Sequence, residues 1–280
     1  MKVMLTGGNG MLGRTLTAML AGCTVVPTDL PAADITAPAL FDALCDEIRP
    51  DVVIHCAAMT AVDKCEDAKE LAYAINERGS RNVAMSCQRL GIRLIAMSTD
   101  YVFDGDGEEP YSEYDTPTGG VNVYGRSKWA GEEAIRAICP NHVITRISWL
   151  YGPGGPSFVH TMLRLADGSR PTLKVVDDQV GNPTSTLAVA RELNALLVRP
   201  DVKGTLHMTC EGQASWAEFA KEIFRLSGNP QHVTPCASSE YPTPATRPAN
   251  SRLEKRRIRE CGLPAMPDWR DALAEFMRNM

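Results

Sequence analysis

KVMLTGGNGMLGRTLTAML, residues 2–20, joins a short apolar run to a helix-forming segment through glycines at positions 7, 10 and 13. Such a junction needs a tight turn, a backbone that can approach a pyrophosphate, and a helix packed closely on its strand. Glycine alone meets all three demands. An anion placed on the helix N-terminus meets free N–H groups and the positive end of the dipole. Gly7, Gly10 and Gly13 are therefore candidate cofactor residues, although the same triplet also suits an ordinary strand-to-helix turn. Asp29 stands about twenty residues further on, at the end of the next apolar run, where a carboxylate accepts hydrogen bonds from an adenosine ribose. Asp29 favours NADH, whereas Arg14 offers a partner for a 2′-phosphate, so NADPH and NADH both stay open.

Working outward, TVVPTD (24–29), DVVIHCA (51–57), RLIAMST (93–99), VITRISW (143–149), LKVVD (173–177) and GTLHMT (204–209) read as further strands. Between them, APALFDALCDEIRP (37–50) and the long segment 66–91 carry apolar residues three and four apart, and Gly91 supplies a helix stop. Alternating strands and helices predict an α/β fold, a Rossmann-type doubly wound parallel sheet with a smaller C-terminal substrate lobe. ADI (33–35) and CAAM (56–59) follow the second and third strands, on the carboxyl edge that binds ligands, and are expected to wall the adenine and ribose. After about residue 151 the pattern loosens into stretches rich in Pro, Gly and Ser. The expected division is 1–150 for the dinucleotide-binding domain, with 184–209 returning to it, and 151–183 plus 210–280 for the substrate lobe.

With 280 residues, 44% hydrophobic and 22% charged, the chain has the composition of an ordinary globular protein. A net charge of -5 gives no electrostatic reason to bind nucleic acid or an anionic membrane, and no partner of either kind is expected. Nine cysteines without a C-x-x-C pair suggest reduced thiols and a cytoplasmic location. The opening has the lysine and apolar residues of a signal peptide, but glycines interrupt it, and it reads as folded structure.

Tyr124 and Lys128 lie four apart in VYGRSKWAGEEAIRAI (123–138), a stretch of helical composition, so both side chains should leave one face. An ammonium beside a phenol favours the phenolate, which draws a tyrosine from its usual pKa near 10 toward the range of general acid and base work. Lys128 is also placed to hold a nicotinamide ribose. Thr99 closes its apolar run at the carboxyl edge, where a hydroxyl meets a substrate oxygen. Tyr-x-x-x-Lys alone also occurs on surface helices. The order of glycine loop, Ser-Thr strand end and Tyr-x-x-x-Lys helix gives the spacing its chemical meaning.

That order resembles the short-chain dehydrogenase/reductase superfamily in its extended form. STDYVFDG (98–105), NVYGRSKWAGE (122–132), ISWLYG (147–152), FVHTMLRLA (158–166), VVDDQVGNPTS (175–185), SWAEFAKEIF (215–224), EYPTPATRPANSRL (240–253) and PDWRDAL (267–273) together resemble the dTDP-4-dehydrorhamnose reductase family. The resemblance implies hydride transfer from NADPH or NADH to the C4 ketone of a dTDP-linked 4-keto-6-deoxysugar, dTDP-4-dehydro-L-rhamnose. The product would be dTDP-L-rhamnose, for cell-surface polysaccharide. Tyr124 would protonate the forming alkoxide, Lys128 would tune Tyr124 and hold the ribose, and Thr99 would orient the sugar carbonyl. Gly10, Met11, Leu12, Asp29, Asp34, Ile35, Ala57, Ala58 and Met59 would fall at cofactor positions. Asp100 and Trp149 would fall at substrate positions, Trp149 offering an apolar face and an N–H donor.

Arg247, in a loop of the second lobe, is a candidate partner for a nucleotide phosphate. The resemblance leaves room for a homodimer. Thr15, however, stands where relatives often carry a glutamate that some use in a metal-bridged dimer, and no metal is expected. The five histidines show no metal-ligand spacing. Asn76 corresponds either to an asparagine of the wider superfamily's proton relay or to a structural residue. Two other functions stay open: reduction of another nucleotide 4-ketosugar, and a non-catalytic regulatory subunit like that of methionine adenosyltransferase, which shares the fold. The complete Thr99, Tyr124 and Lys128 set favours an enzyme.

Overall fold

The computed structural model describes residues 1–166, 172–228 and 231–280. Five strands alternate with helices: β1 (Lys2–Thr6), β2 (Thr24–Thr28), β3 (Val52–His55), β4 (Arg93–Thr99) and β5 (His142–Ile147). They form a parallel sheet in the order β2-β1-β3-β4-β5, and Gly204–His207 adds a sixth strand beside β5. Every residue of β3 and β4 is buried, as a parallel sheet covered on both faces requires. Successive residues of β1 feed opposite layers. Val3 and Leu5 join the core that contains Leu16, Ile54 and Leu193, while Met4 joins Phe41, Val53 and Leu94 on the other side.

The chain leaves β1 toward β2, then returns past it to β3. The sheet therefore has its topological switch point between β1 and β3, where a crevice opens at the carboxyl ends of the strands. Helix α1 (Met11–Met19) starts directly above it, and α2 (Pro38–Ile48) covers the opposite face.

Segment 66–91 is not one crossover helix. It breaks into α3 (Val62–Asp67), α4 (Lys69–Tyr73), a π turn over Ala74–Gly79, and α5 (Ser80–Leu90), which ends at Gly91 in a left-handed cap. The extra residue of the π turn swings Asn76 inward, and Gly79 lets Ile35 approach to where a Cβ would lie 2.6 Å from its Cδ1. Helix α6 (Val123–Ile138) begins at Asn122, whose side chain accepts the Gly125 N–H at 2.8 Å.

LKVVD also departs from expectation, since Thr172–Val176 pairs with His232–Cys236 in a separate two-stranded sheet. Two other short pairs, Leu150–Tyr151 with Thr184–Ser185 and Val180–Gly181 with Ala214–Ser215, carry the chain between the main sheet and the second lobe. Of the expected range 151–183, residues 167–171 lie outside the described residues. Phe219 and Trp269 of this lobe belong to the same apolar cluster as Val3 and Leu5, so the lobe is joined to the sheet by continuous packing.

Candidate active site

A cleft of about 850 Å³ runs from the glycine loop across the switch point to the second lobe. At its start each glycine answers a different demand. Gly7 has φ +68°, and a Cβ there would stand 2.8 Å from the Ala57 nitrogen. A Cβ on Gly13 would stand 2.3 Å from the Gly7 carbonyl oxygen. Gly10 is the N-cap of α1, is exposed toward the cleft, and would bring a Cβ near the Gly7 oxygen alone, at 3.2 Å. No side chain caps this N-terminus and no acidic residue occupies its first turn. The cradle thus offers an anion both space and amide donors, and fits a dinucleotide pyrophosphate.

Met11, Leu12, Asp29, Asp34, Ile35, Ala57 and Ala58 line the same cleft. Asp29 also braces the loop, accepting the Asn9 N–H at 2.8 Å on one oxygen and the Leu30 N–H at 2.8 Å on the other. Asp34 shapes its turn by accepting both the N–H and the hydroxyl of Thr36, at 2.9 and 2.7 Å. Met59 lies beside the cleft and not in its wall. Its side chain packs on Cys65, Ala72 and Val123, and the Asn76 amide bonds both its N–H (2.8 Å) and its C=O (3.1 Å). The third bond of that amide runs to the Ser127 hydroxyl at 3.0 Å, tying the loop after β3 to α6. Asn76 is therefore a buried brace.

Thr99, Asp100, Tyr124 and Lys128 line one wall together. The hydroxyls of Thr99 and Tyr124 face each other as hydrogen-bond partners, and Thr99 donates to the Asp100 carboxylate at 2.8 Å. The expected tuning of the phenol is not what the geometry delivers. Burial raises Tyr124 above its ordinary value, Thr99 opposes this, and Asp100 adds to it. Lys128 turns beneath the tyrosine and donates to the Met97 carbonyl at 2.8 Å. Both side chains line the cleft, as the shared helix face predicts, and the ammonium's hydrogen bond goes to the β4 carbonyl. Burial pulls Lys128 down to about 8, with Glu132 acting against it. Asp100 is pushed up to about 7 by burial, against the hydroxyls of Thr99 and Ser251, and its Oδ2 has no well-formed hydrogen bond among the described residues.

At the far end Trp149 holds φ +48°, a strained conformation for a bulky residue, and stacks on Trp216 with centroids 3.5 Å apart and planes 2° from parallel. Its Nε1–H donates to the Ser251 hydroxyl at 3.1 Å. Gly181 makes room, since a Cβ there would lie 2.5 Å from the indole. Trp216 escaped the sequence reading because its helical spacing in SWAEFAKEIF marks it only as core. Tyr101, whose ring meets Tyr124 edge-on at 5.7 Å, was equally hidden.

Arg247 does not line the cleft. Its guanidinium donates to Asp63 at 2.9 Å and to the Ala245 carbonyl at 3.1 Å, so it fastens the second-lobe loop to α3. Thr15 faces inward and bonds Thr186 at 3.0 Å. Among the described residues no group of three or more His, Cys, Asp or Glu side chains is placed to hold a metal ion, and no helix is long and apolar enough to cross a membrane.

A switch-point cleft with a glycine cradle at one end and a Thr-Tyr-Lys set at its middle defines a Rossmann-type oxidoreductase of the extended short-chain dehydrogenase/reductase kind. Residues 1–280 match the family described as RmlD substrate binding domain, and the chain belongs to this dTDP-4-dehydrorhamnose reductase family. It is 43% identical to a dTDP-4-dehydrorhamnose reductase of Streptomyces griseus, covering 97% of this chain and 91% of the relative. It is 39% identical to a dTDP-4-keto-6-deoxy-D-glucose reductase of Streptomyces niveus, covering 97% and 95%. The crystal structure of a dTDP-4-dehydrorhamnose reductase from Bacillus anthracis in complex with NADP superposes with a TM-score of 0.96 at 39% identity, over 100% of this chain and 99% of that one.

Proposed function

We propose that this protein reduces the C4 ketone of dTDP-4-dehydro-L-rhamnose, giving dTDP-L-rhamnose. The observation that carries the reading is the single cleft in which the glycine cradle opens directly onto Thr99, Tyr124 and Lys128. A bound reduced nicotinamide dinucleotide would supply the hydride. Gly7, Gly10 and Gly13 would admit its pyrophosphate, with Asp29 and Ile35 toward the adenosine end and Lys128 at the nicotinamide ribose. Thr99, whose hydroxyl donates to Asp100 in the structure, would turn that donor to the substrate oxygen when the sugar binds. Tyr124 keeps its proton at neutral pH because desolvation of its half-buried phenol disfavours the phenolate, and is therefore poised as the acid that completes the alcohol. The free oxygen of Asp100 accepts a sugar hydroxyl, and the Trp149 and Trp216 rings wall the apolar side of the deoxysugar.

A second reading is favoured by the comparable identity to the 4-keto-6-deoxy-D-glucose reductase: the same chemistry on an epimeric dTDP-4-ketosugar. One assay separates them. NADPH and NADH consumption is followed with each dTDP-4-ketosugar in turn, and the faster kcat/KM identifies the substrate. Absence of turnover on every dTDP-4-ketosugar, with cofactor binding intact, would defeat both readings.

A further inference from the structure

A buried charge cluster that this chemistry does not use lies directly beneath the Thr99, Tyr124 and Lys128 set. Glu132 of α6 is 2% exposed, and four hydrogen bonds converge on its carboxylate. Oε1 accepts from Arg146 Nε at 3.0 Å and from the Ser98 hydroxyl at 2.5 Å. Oε2 accepts from Arg146 Nη2 at 2.8 Å and Arg136 Nη2 at 2.6 Å. Ser98 and Arg146 sit opposite each other in the register of β4 and β5. One turn earlier on α6, Lys128 bonds the Met97 carbonyl. The helix is thus fastened to the two residues that precede Thr99, while its first turn presents Tyr124 to Thr99 itself.

A buried ion pair is weak evidence of stabilisation, since apolar residues of similar volume often serve as well. Four bonds on one carboxylate beside a reacting site do what apolar packing cannot, which is to fix direction as well as distance. We propose that Glu132 is a positioning residue, fixing α6 against β4 so that Tyr124, Lys128 and Thr99 keep their mutual geometry, and standing one helical turn from Lys128 as its buried counter-charge, a role that rests on the reductase reading above.

The charges around Lys128 point the same way. His55, at the end of β3, is held neutral near 3 by burial and by Lys128 itself, and burial pushes the Cys56 thiol up to about 12. Glu132 is therefore the ionised carboxylate acting on Lys128. Burial alone would raise it, but Arg146, Arg136 and the Ser98 hydroxyl hold it at about 2. On its far side stand His207 and His142, both shifted down mainly by burial.

The test uses Glu132→Gln, Glu132→Asp and Ser98→Ala in the full chain, with two readouts. The Lys128 ε-carbon is titrated by NMR without cofactor, and kcat and KM are measured with the substrate identified above. In Glu132→Gln the Lys128 midpoint should fall by about half a pH unit or more, the alkaline limb of kcat should follow it, and kcat should drop roughly tenfold with KM little changed. Glu132→Asp should restore the midpoint but not kcat, because the charge returns and the reach does not. Ser98→Ala should leave the midpoint in place and lower kcat several-fold, and it decides the positioning role if Glu132→Gln does not fold. An unmoved Lys128 midpoint in folded Glu132→Gln, or wild-type kcat in Ser98→Ala, overturns the proposal. If the wild type turns over no dTDP-4-ketosugar, the reductase reading fails instead, and the NMR titration still decides whether Glu132 holds the Lys128 charge.

Discussion

Replacing Gly13 and Gly10 by alanine should separate folding from cofactor binding, although the two residues are one helical turn apart. On Gly13 the new methyl would meet Gly7 O at 2.3 Å, Gly8 Cα at 2.7 Å and Gly8 O at 2.8 Å, all backbone atoms. The turn cannot retreat. Behind Gly7 there is no room even for a Cβ, which would stand 2.8 Å from the Ala57 nitrogen, and Gly8 donates to the Thr28 carbonyl at 2.9 Å. Overpacking costs about 1–3 kcal/mol, and three contacts below 3 Å against a backbone held on both sides place this one at the upper end, about 3 kcal/mol. At roughly 2 °C per kcal/mol for a chain of this size, Gly13→Ala should melt about 6 °C below the wild type. Gly10 has φ -71° and ψ 166°, open to any residue, and its methyl would meet one oxygen at 3.2 Å. Gly10→Ala should therefore stay within about 1 kcal/mol of the wild type. The methyl stands on the cleft face where a pyrophosphate must reach the α1 amides, so NADPH affinity should fall at least about tenfold, or 1.4 kcal/mol. Differential scanning fluorimetry and an NADPH fluorescence titration read the two effects. A Gly13→Ala protein that melts with the wild type would refute the packing argument, and wild-type NADPH affinity in Gly10→Ala would refute the cradle.

Tyr124→Phe should lower kcat by about 100-fold or more while NADPH affinity stays within a factor of two, since it removes a proton donor and little volume; near-normal turnover would take Tyr124 out of its role. Acid should destabilise the fold through His55 and His207, both held neutral near 3, by burial first and then by Lys128 and Arg146 respectively. Unfolded, they titrate near 6.5, so below that pH the unfolded chain binds more protons than the folded one, and stability falls with pH until about 3. Going from pH 7 to 5 should cost roughly 2 kcal/mol per histidine, read as a lower urea midpoint; equal midpoints would contradict the assignment. Arg247→Ala should raise KM for the sugar nucleotide modestly, with little change in kcat, because it removes the guanidinium tie between this loop and Asp63 while the Ala245 N–H still bonds the same carboxylate. Unchanged KM would show that the loop holds its place without that tether.

Much of the site was readable because its signals are local. The three glycines, the Thr99 strand end and the four-residue spacing of Tyr124 and Lys128 each depend on neighbours within one or two turns, and the cleft gathers all of them. Signals that depend on distant partners misled or stayed silent. LKVVD has the composition of a sheet strand, but its partner at His232–Cys236 is set by where the second lobe folds back. Arg247 looked free to meet a phosphate until Asp63 came beside it. The π turn at Ala74–Gly79 has no periodicity of its own to read, and the partners it gives Asn76, Met59 and Ser127, are distant in the chain.

The sequence by itself determined a parallel α/β sheet, a dinucleotide cradle after its first strand and a Thr, Tyr and Lys set on its carboxyl edge, because turn chemistry and hydrophobic period are written over a few residues. Tertiary structure decided the electrostatics of that set. It sent the Lys128 ammonium to the Met97 carbonyl, packed Tyr124 half-buried in its protonated form, stacked Trp216 on Trp149 and placed Glu132 between Ser98 and Arg146. Burial and charge contact depend on which surfaces meet across the chain, and no local spacing specifies that.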